Sequence, residues 1–224
     1  MKKFNATKMM ALLMALCLIT STFVGSTLAK YTTQAEGADS ARVAKFGVEI
    51  TATSNTMFAK EYTDEDATYA GLSVEATEYV VAPGTKGTLA DLTITGTPEV
   101  AVRVTNDAEL TLTGWEAAGD FYCPIVIKVG TTSFDGTAYA SAALFEEAVE
   151  AAIEVYTHDY APGTDLSTVS DAEPVVSWEW AFDNTKVGAA AGQTDAKDTD
   201  LGDKAVAGDI EIKLDLTTTV TQID

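Results

Sequence analysis

Apolar and polar residues alternate along most of this chain, in short runs that turn residues separate. The closing run is the clearest, because five apolar residues alternate there with charged residues and threonines: Ile210, Ile212, Leu214, Leu216 and Val220. A period of two predicts β-strands that have one buried face and one solvated face. Many such runs between turn residues favour an antiparallel sandwich or barrel.

Similar runs predict strands in "VAKFGVEITAT", "TEYVV", "TLADLTITG", "FYCPIVIKV" and "EPVVSWEWAF". Four apolar residues of the first run share one predicted face: Ala44, Phe46, Val48 and Ile50. The segment "EVAVRVTNDAELTLTGW" is predicted to be a hairpin, because Asn106 and Asp107 tolerate the positive φ of a tight turn. The total is about nine strands, which suits a mainly β fold, a jelly-roll-type antiparallel β-sandwich.

One stretch has helical periodicity, "YASAALFEEAVEAAIEVYTHDY". Its apolar residues fall on one side at helical spacing: Phe145, Val149, Ala152, Ile153 and Tyr156. Its glutamates fall on the other side, so the stretch is predicted to be one amphipathic helix that ends at Pro162 and Gly163. The glycine- and aspartate-rich segment 183–209 is predicted to be a polar loop.

The first residues have the pattern of a secretory signal peptide. Lysines precede an almost continuously apolar run, residues 9–25, and Thr27 and Ala29 supply the small residues of a cleavage site. The apolar run is near the lower length limit of a membrane span, which favours cleavage between Ala29 and Lys30 over a retained anchor. Residues 1–29 are therefore predicted to be a leader.

Cleavage of 29 of the 224 residues leaves 195, enough for one domain with a core. We expect a single β-sandwich domain over 42–224, preceded by a loose N-terminal arm over 30–41. The leader removes three lysines and no acid, so the formal net charge changes from −20 to −23. Such a charge disfavours nucleic acid and anionic membranes as partners.

Candidate catalytic groups are sparse. His158 is the sole histidine, which excludes a helical HExxH zinc site, and the chain has neither GxSxG nor a phosphate-binding glycine loop. Glu150, Glu154 and His158 share a predicted helical face, which we interpret as solvated. Cys123 is the only cysteine outside the leader and is interpreted as a small buried hydrophobe. The chain is therefore not expected to be an enzyme.

Two further motifs leave ligand binding open. The segment "TDAKDTDLGD" places four aspartates close together, Asp195, Asp198, Asp200 and Asp203, and oxygen-rich loops suit calcium. Its spacing departs from that of an EF-hand, so a solvated acidic loop without a cofactor is the favoured interpretation. Trp178 and Trp180 could form a sugar-binding platform, but their alignment with Val176 and Phe182 favours a core face.

Three segments resemble the TasA/camelysin family of secreted biofilm matrix proteins of Gram-positive bacteria, which share the signal peptidase SipW. They are the leader end "STLAKYTT", the segment "APGTKGTLADLTITGTPEVAVRV" and the tail "AGDIEIKLDLTTTVTQ". "WEWAF" and "DTDLGDKA" are similar to segments of clostridial members. The resemblance covers the leader, the first half and the last strand, and does not cover residues 116–170.

The resemblance implies a jelly-roll subunit that polymerises into extracellular fibres with copies of itself or related subunits. In that family the N-terminal arm completes a sheet in the next subunit. Here Tyr31, Thr33 and Ala35 alternate along the arm and would form the donor strand. The alternative is a monomeric cell-surface module that binds carbohydrate or protein. Both imply a secreted protein of the extracellular matrix or cell surface, without membrane contact after cleavage.

We predict that N-terminal sequencing of the secreted protein reads Lys-Tyr-Thr-Thr, because Thr27 and Ala29 fit the −3 and −1 positions of the cleavage site. A secreted or surface-bound chain that still carries residues 9–25 would contradict the predicted cleavage and indicate an anchor.

Overall fold

A computed structural model describes residues 42–51, 57–63, 73–89, 92–206, 208 and 210–223. The chain divides into two compact units, Met1–Ala44 and Lys45–Asp224, and the strands and helices given below belong to the second. The predicted leader, the cleavage site at Ala29 and Lys30, and the arm over 30–41 lie outside the described residues.

The described residues form thirteen strands: β1 (Val48–Thr51), β2 (Ala59–Tyr62), β3 (Val74–Val80), β4 (Lys86–Leu89), β5 (Thr93–Gly96), β6 (Val102–Thr113), β7 (Glu116–Ala117), β8 (Asp120–Phe121), β9 (Val126–Val129), β10 (Thr132–Asp135), β11 (His158–Tyr160), β12 (Val176–Glu179) and β13 (Glu211–Gln222). They also form two α-helices, α1 (Ala142–Glu154) and α2 (Asp195–Ala205).

All strand pairs are antiparallel. One sheet has the order β10-β9-β12-β4, a second has the order β11-β6-β13, and three further sheets have two strands each. The larger core cluster combines residues of β6, β9, β12 and α1, with β13 packed against it. This architecture confirms the predicted mainly β, sandwich-type class with a covering helix.

The predicted hairpin at Asn106 and Asp107 is wrong, because β6 runs through both residues without a turn. Asn106 is buried, and its Nδ2 donates to the carbonyl oxygens of Tyr156 at 2.5 Å and Ala172 at 2.8 Å. Its Oδ1 accepts from the Thr218 hydroxyl at 2.7 Å. Three tertiary hydrogen bonds and a twelve-residue partner strand outweigh the local turn preference of Asn-Asp.

The first helix is shorter than predicted. It begins after Ser141, whose side chain accepts from the Leu144 amide, and ends at the C-cap Val155. His158 to Tyr160 then form β11, which pairs with the first residues of β6. The predicted end at Pro162 and Gly163 is wrong because pairing with β6 replaces the last predicted turn of helix.

The predicted polar loop over 183–209 contains α2, so its acidic part is not a loop. Thr194 is the N-cap and accepts from the Lys197 amide. Asp195 and Asp198 lie in the first turn and Lys204 in the last, where their charges oppose the helix dipole. Capping and charge placement therefore stabilise a helix despite Gly202 in its interior.

The first predicted strand is also shorter than its alternation indicated. β1 begins at Val48, since Gly47 at φ +49° interrupts the extended backbone. Phe46 and Ile50, which were predicted to share a buried face, are 40% and 38% exposed.

We predict that Asn106→Ala lowers the free energy of unfolding by about 2 to 4 kcal/mol, because two buried carbonyl groups lose their donor. Asp107→Ala, at the exposed neighbouring position of the same strand, is the control and should cost less than about 0.5 kcal/mol. Equilibrium unfolding in urea measures both values. Equal losses for the two variants would contradict the role of the Asn106 hydrogen bonds.

Candidate functional site: an open strand edge

The longest strand pair in the structure is β6 with β13, and its register fixes which backbone groups face outward. Leu112 pairs with Ile212, and Leu110 pairs with Leu214. The amides of Leu110 and Leu112 donate to side chains of α1, on the side of β6 away from β13. Because backbone groups alternate in direction, the odd-numbered residues of β6 bond to β13.

The same alternation directs the even-numbered residues of β13 away from β6. We call their backbone groups the outer edge: those of Ile212, Leu214, Leu216, Thr218 and Val220. Among the residues that the structure describes, no strand pairs with this edge. A row of unpaired N–H and C=O groups is a surface that another strand can pair with.

The side chains of the outer edge point toward the protein interior. Ile212, Leu214 and Leu216 are half-buried and pack against the larger core cluster, and Val220 packs against the smaller one. The alternate side chains of β13 are exposed. Packing against the core therefore holds β13 in place. An incoming strand would pair with a backbone edge that is already extended.

The opposite edge of β6 is closed. Glu150 Oε1 accepts from the Leu110 amide at 2.8 Å, and Glu146 Oε1 accepts from the Leu112 amide at 2.6 Å. The two glutamates are four residues apart on α1, and they match two amides that are two residues apart on β6. Together with β11, which pairs with Val102 to Val104, they cover this side of β6, and β13 offers the longer open edge of the sheet.

A groove of about 600 Å³ lies where β13 begins. Apolar and aromatic side chains from six parts of the chain line it, among them Phe58, Val80, Trp115, Trp180, Leu201 and Ile212. The rings of Trp115 and Trp180 lie 5.9 Å apart between centroids. Three carboxylates also line it, those of Glu78, Asp198 and Glu211.

The two groove tryptophans differ in their hydrogen bonds. Trp115 Nε1 donates to the Glu211 carbonyl oxygen at 2.7 Å. Trp180 is 5% exposed, and its Nε1 has no hydrogen-bond partner among the described residues. A buried donor without an acceptor destabilises the free protein, so one residue that lines the groove carries an unsatisfied polar group.

The four aspartates of the candidate calcium segment lie on α2 and not in a solvated loop. Asp198 is buried and accepts from the Tyr122 hydroxyl at 2.7 Å and from Gln193 Nε2 at 2.8 Å. Burial, together with the bond to Asp198, raises the pKa of Tyr122. Within the described residues, Asp, Glu, His and Cys do not group into a set of three that could hold a metal ion.

Asp200 has a structural partner as well. It accepts from the Ala118 amide at 3.0 Å, and this bond is the main reason that the pKa of Asp200 is lowered. Ala118 has a positive φ of 56°, so the carboxylate of Asp200 lies at a strained turn.

The tryptophans of "WEWAF" are core residues, as their alignment predicted. Trp178 is 2% exposed, and its Nε1 donates to the Met57 carbonyl oxygen at 2.7 Å. The interpretation of Trp178 and Trp180 as an exposed sugar platform is therefore wrong. Only Phe182, at the end of this predicted face, is exposed.

The predicted face of Glu150, Glu154 and His158 does not exist, because His158 is exposed in β11 and Glu150 bonds to β6. Cys123 is buried, as predicted, and burial raises the pKa of its thiol to about 12.

No family model, no curated protein and no solved structure matches this chain. In the described part of the chain, no helix is both long and apolar enough to cross a membrane.

We predict that replacing both Glu146 and Glu150 with alanine lowers the free energy of unfolding by about 2 to 4 kcal/mol, since two amides of β6 lose their acceptors. The double glutamine variant retains neutral acceptors and should lose about half as much. Glu147→Ala, exposed on the same helix, is the control. Faster hydrogen exchange at Leu110 and Leu112 in the alanine variant would accompany the loss, and unchanged exchange would contradict it.

Proposed function

We propose that this chain is a secreted structural subunit of an extracellular or biofilm matrix, which forms fibres when the N-terminal arm of one copy pairs with the outer edge of the next. The observation that carries the proposal is the outer edge itself. It is long, its side chains are already packed, and among the described residues no strand covers it.

The arm and the edge have matching lengths. β13 has 12 residues, and the arm over 30–41 has the same number. At about 3.3 Å per residue, each spans roughly 40 Å when extended. The arm side chains are mostly small, so main-chain hydrogen bonds along the edge would supply much of the attraction.

The resemblance to the TasA/camelysin family supports the same proposal. In this chain, the resembling tail "AGDIEIKLDLTTTVTQ" contains β13. The resembling segment "APGTKGTLADLTITGTPEVAVRV" contains β4, β5 and the first residues of β6. The family likeness therefore includes the strand that carries the open edge and the start of its partner β6.

The charge of the mature chain affects assembly. Copies with a formal charge near −23 repel one another, and salt weakens repulsion between exposed charges beyond roughly 10 Å at about 0.1 M. We therefore expect salt to promote assembly through general screening, with calcium acting no differently at matched ionic strength.

A second pocket favours the alternative, a monomeric cell-surface module that binds carbohydrate or protein. It has a volume of about 530 Å³, and polar side chains contribute to its lining: Lys86, Thr88, Lys128, Ser177 and Glu179. Hydroxyl, ammonium and carboxylate groups are suited to hydrogen bonding with a sugar. A protein that stays monomeric after leader removal and binds glycans would support this alternative.

We predict that Leu216→Pro abolishes fibres while the monomer remains folded, because proline removes one outward N–H of the outer edge and leaves the bonds to β6 intact. Leu216→Ala is the matched control, since it loses the same side-chain packing but keeps the amide. Thr33→Pro in the arm should have the same effect as Leu216→Pro. Sedimentation and electron microscopy of the mature chain measure fibre formation, and circular dichroism measures folding.

Fibres of normal length from both proline variants would contradict pairing between the arm and the outer edge. Loss of fibres in the Leu216→Ala variant as well as in Leu216→Pro would assign the effect to core packing, which would also contradict the proposal.

A further inference from the structure

We infer that the groove at the start of β13 receives Tyr31 from the arm of a neighbouring copy. This inference rests on the proposed function and names the contact that would fix the register of the arm. Three features favour this contact: the unsatisfied indole of Trp180, the composition of the arm and the charge around the groove.

The indole of Trp180 indicates that the groove takes an occupant. Its Nε1 is buried and has no partner among the described residues, whereas the neighbouring Trp115 donates to Glu211. A buried N–H that lacks an acceptor is uncommon in folded proteins and calls for a specific explanation. A carbonyl or phenol oxygen that enters the groove would satisfy it once the side chains that cover Nε1 shift on binding.

The arm supplies one side chain that suits this groove. Tyr31 is the sole aromatic residue over 30–41, and the other arm side chains are small or polar. The groove presents Phe58, Trp115 and Trp180, and aromatic rings gain from packing against one another. Its volume of about 600 Å³ is within the range of small-ligand pockets, so it can hold a tyrosine side chain.

Charge favours the start of the arm over other segments of this acidic chain. Cleavage before Lys30 creates an N-terminus with two positive groups, the α-amino group and the lysine side chain. Glu78 and Glu211 line the groove and are exposed. Seating Tyr31 therefore places the cationic end of one copy beside carboxylates of the next.

The location of the groove also fixes a direction. It lies at the first residues of β13, including Ile210 and Ile212. With Tyr31 seated there, the arm continues along the outer edge parallel to β13.

Site-specific photo-cross-linking of the full mature chain tests this inference. The photoreactive residue p-benzoylphenylalanine replaces Tyr31 in one sample and Gln34 in a control sample. Isotope-labelled and unlabelled chains are mixed before assembly, so mass spectrometry separates links between copies from links within one copy. We expect the probe at position 31 to link between copies to peptides that contain Trp115, Trp180 or Leu201, and the control probe to link elsewhere.

Two negative results of the cross-linking experiment have different meanings. Links to the groove within one copy would contradict exchange between copies, and hence the proposed function. Links between copies to peptides outside the groove would overturn the groove as the site of Tyr31 while retaining exchange.

Two substitutions give an independent measurement in the mature chain. Trp180→Phe keeps an aromatic ring and removes the N–H, and it should weaken assembly about tenfold, as expected for one buried hydrogen bond. Tyr31→Ala should weaken assembly at least as much. It should also increase the quenching of tryptophan fluorescence by acrylamide, because the groove tryptophans become more exposed. Normal assembly and quenching in both variants would overturn the inference.

Discussion

The structure depends on one constraint, that the backbone groups of β6 must be hydrogen-bonded along both edges. β13 satisfies one edge over its whole length. The other edge has two kinds of partner: β11, and the carboxylates of Glu146 and Glu150. These bonds fix where α1 lies, because its glutamates must reach amides on β6. They also leave the polar backbone of β13 open on its far side.

This asymmetry gives the proposed assembly its direction. Of the two edge strands of this sheet, β11 has three residues and β13 has twelve, so β13 offers the long edge for strand addition. The threonine-rich end of β13 and its alternating charges keep the exposed face of the strand polar. Self-association then requires a segment that can bond along the edge, and the arm over 30–41 has mostly small or uncharged side chains.

Alternation and helical periodicity predicted the class of fold, the helix over Phe145 to Ile153 and most of β13, because those patterns follow from burial directly. They failed where tertiary bonds decide the structure. Asn106 belongs to a strand because distant carbonyls accept from it, and α2 forms in a glycine-containing acidic segment because Thr194 caps it. The glutamates of α1 were expected to face water, and the sequence carries no sign that two of them bond to β6. Only the unusual length of alternation in β13 could have indicated a long edge strand.

Amide hydrogen exchange of β13, before and after assembly of the mature chain, tests the central claim most directly. In the monomer, the account predicts rapid exchange at Ile212, Leu214 and Leu216, whose amides face outward, and slow exchange at Lys213 and Asp215, whose amides bond to β6. Assembly should make the outward amides slow as well. Outward amides that are already protected in the monomer, or that still exchange rapidly in fibres, would contradict the outer edge as the site of assembly.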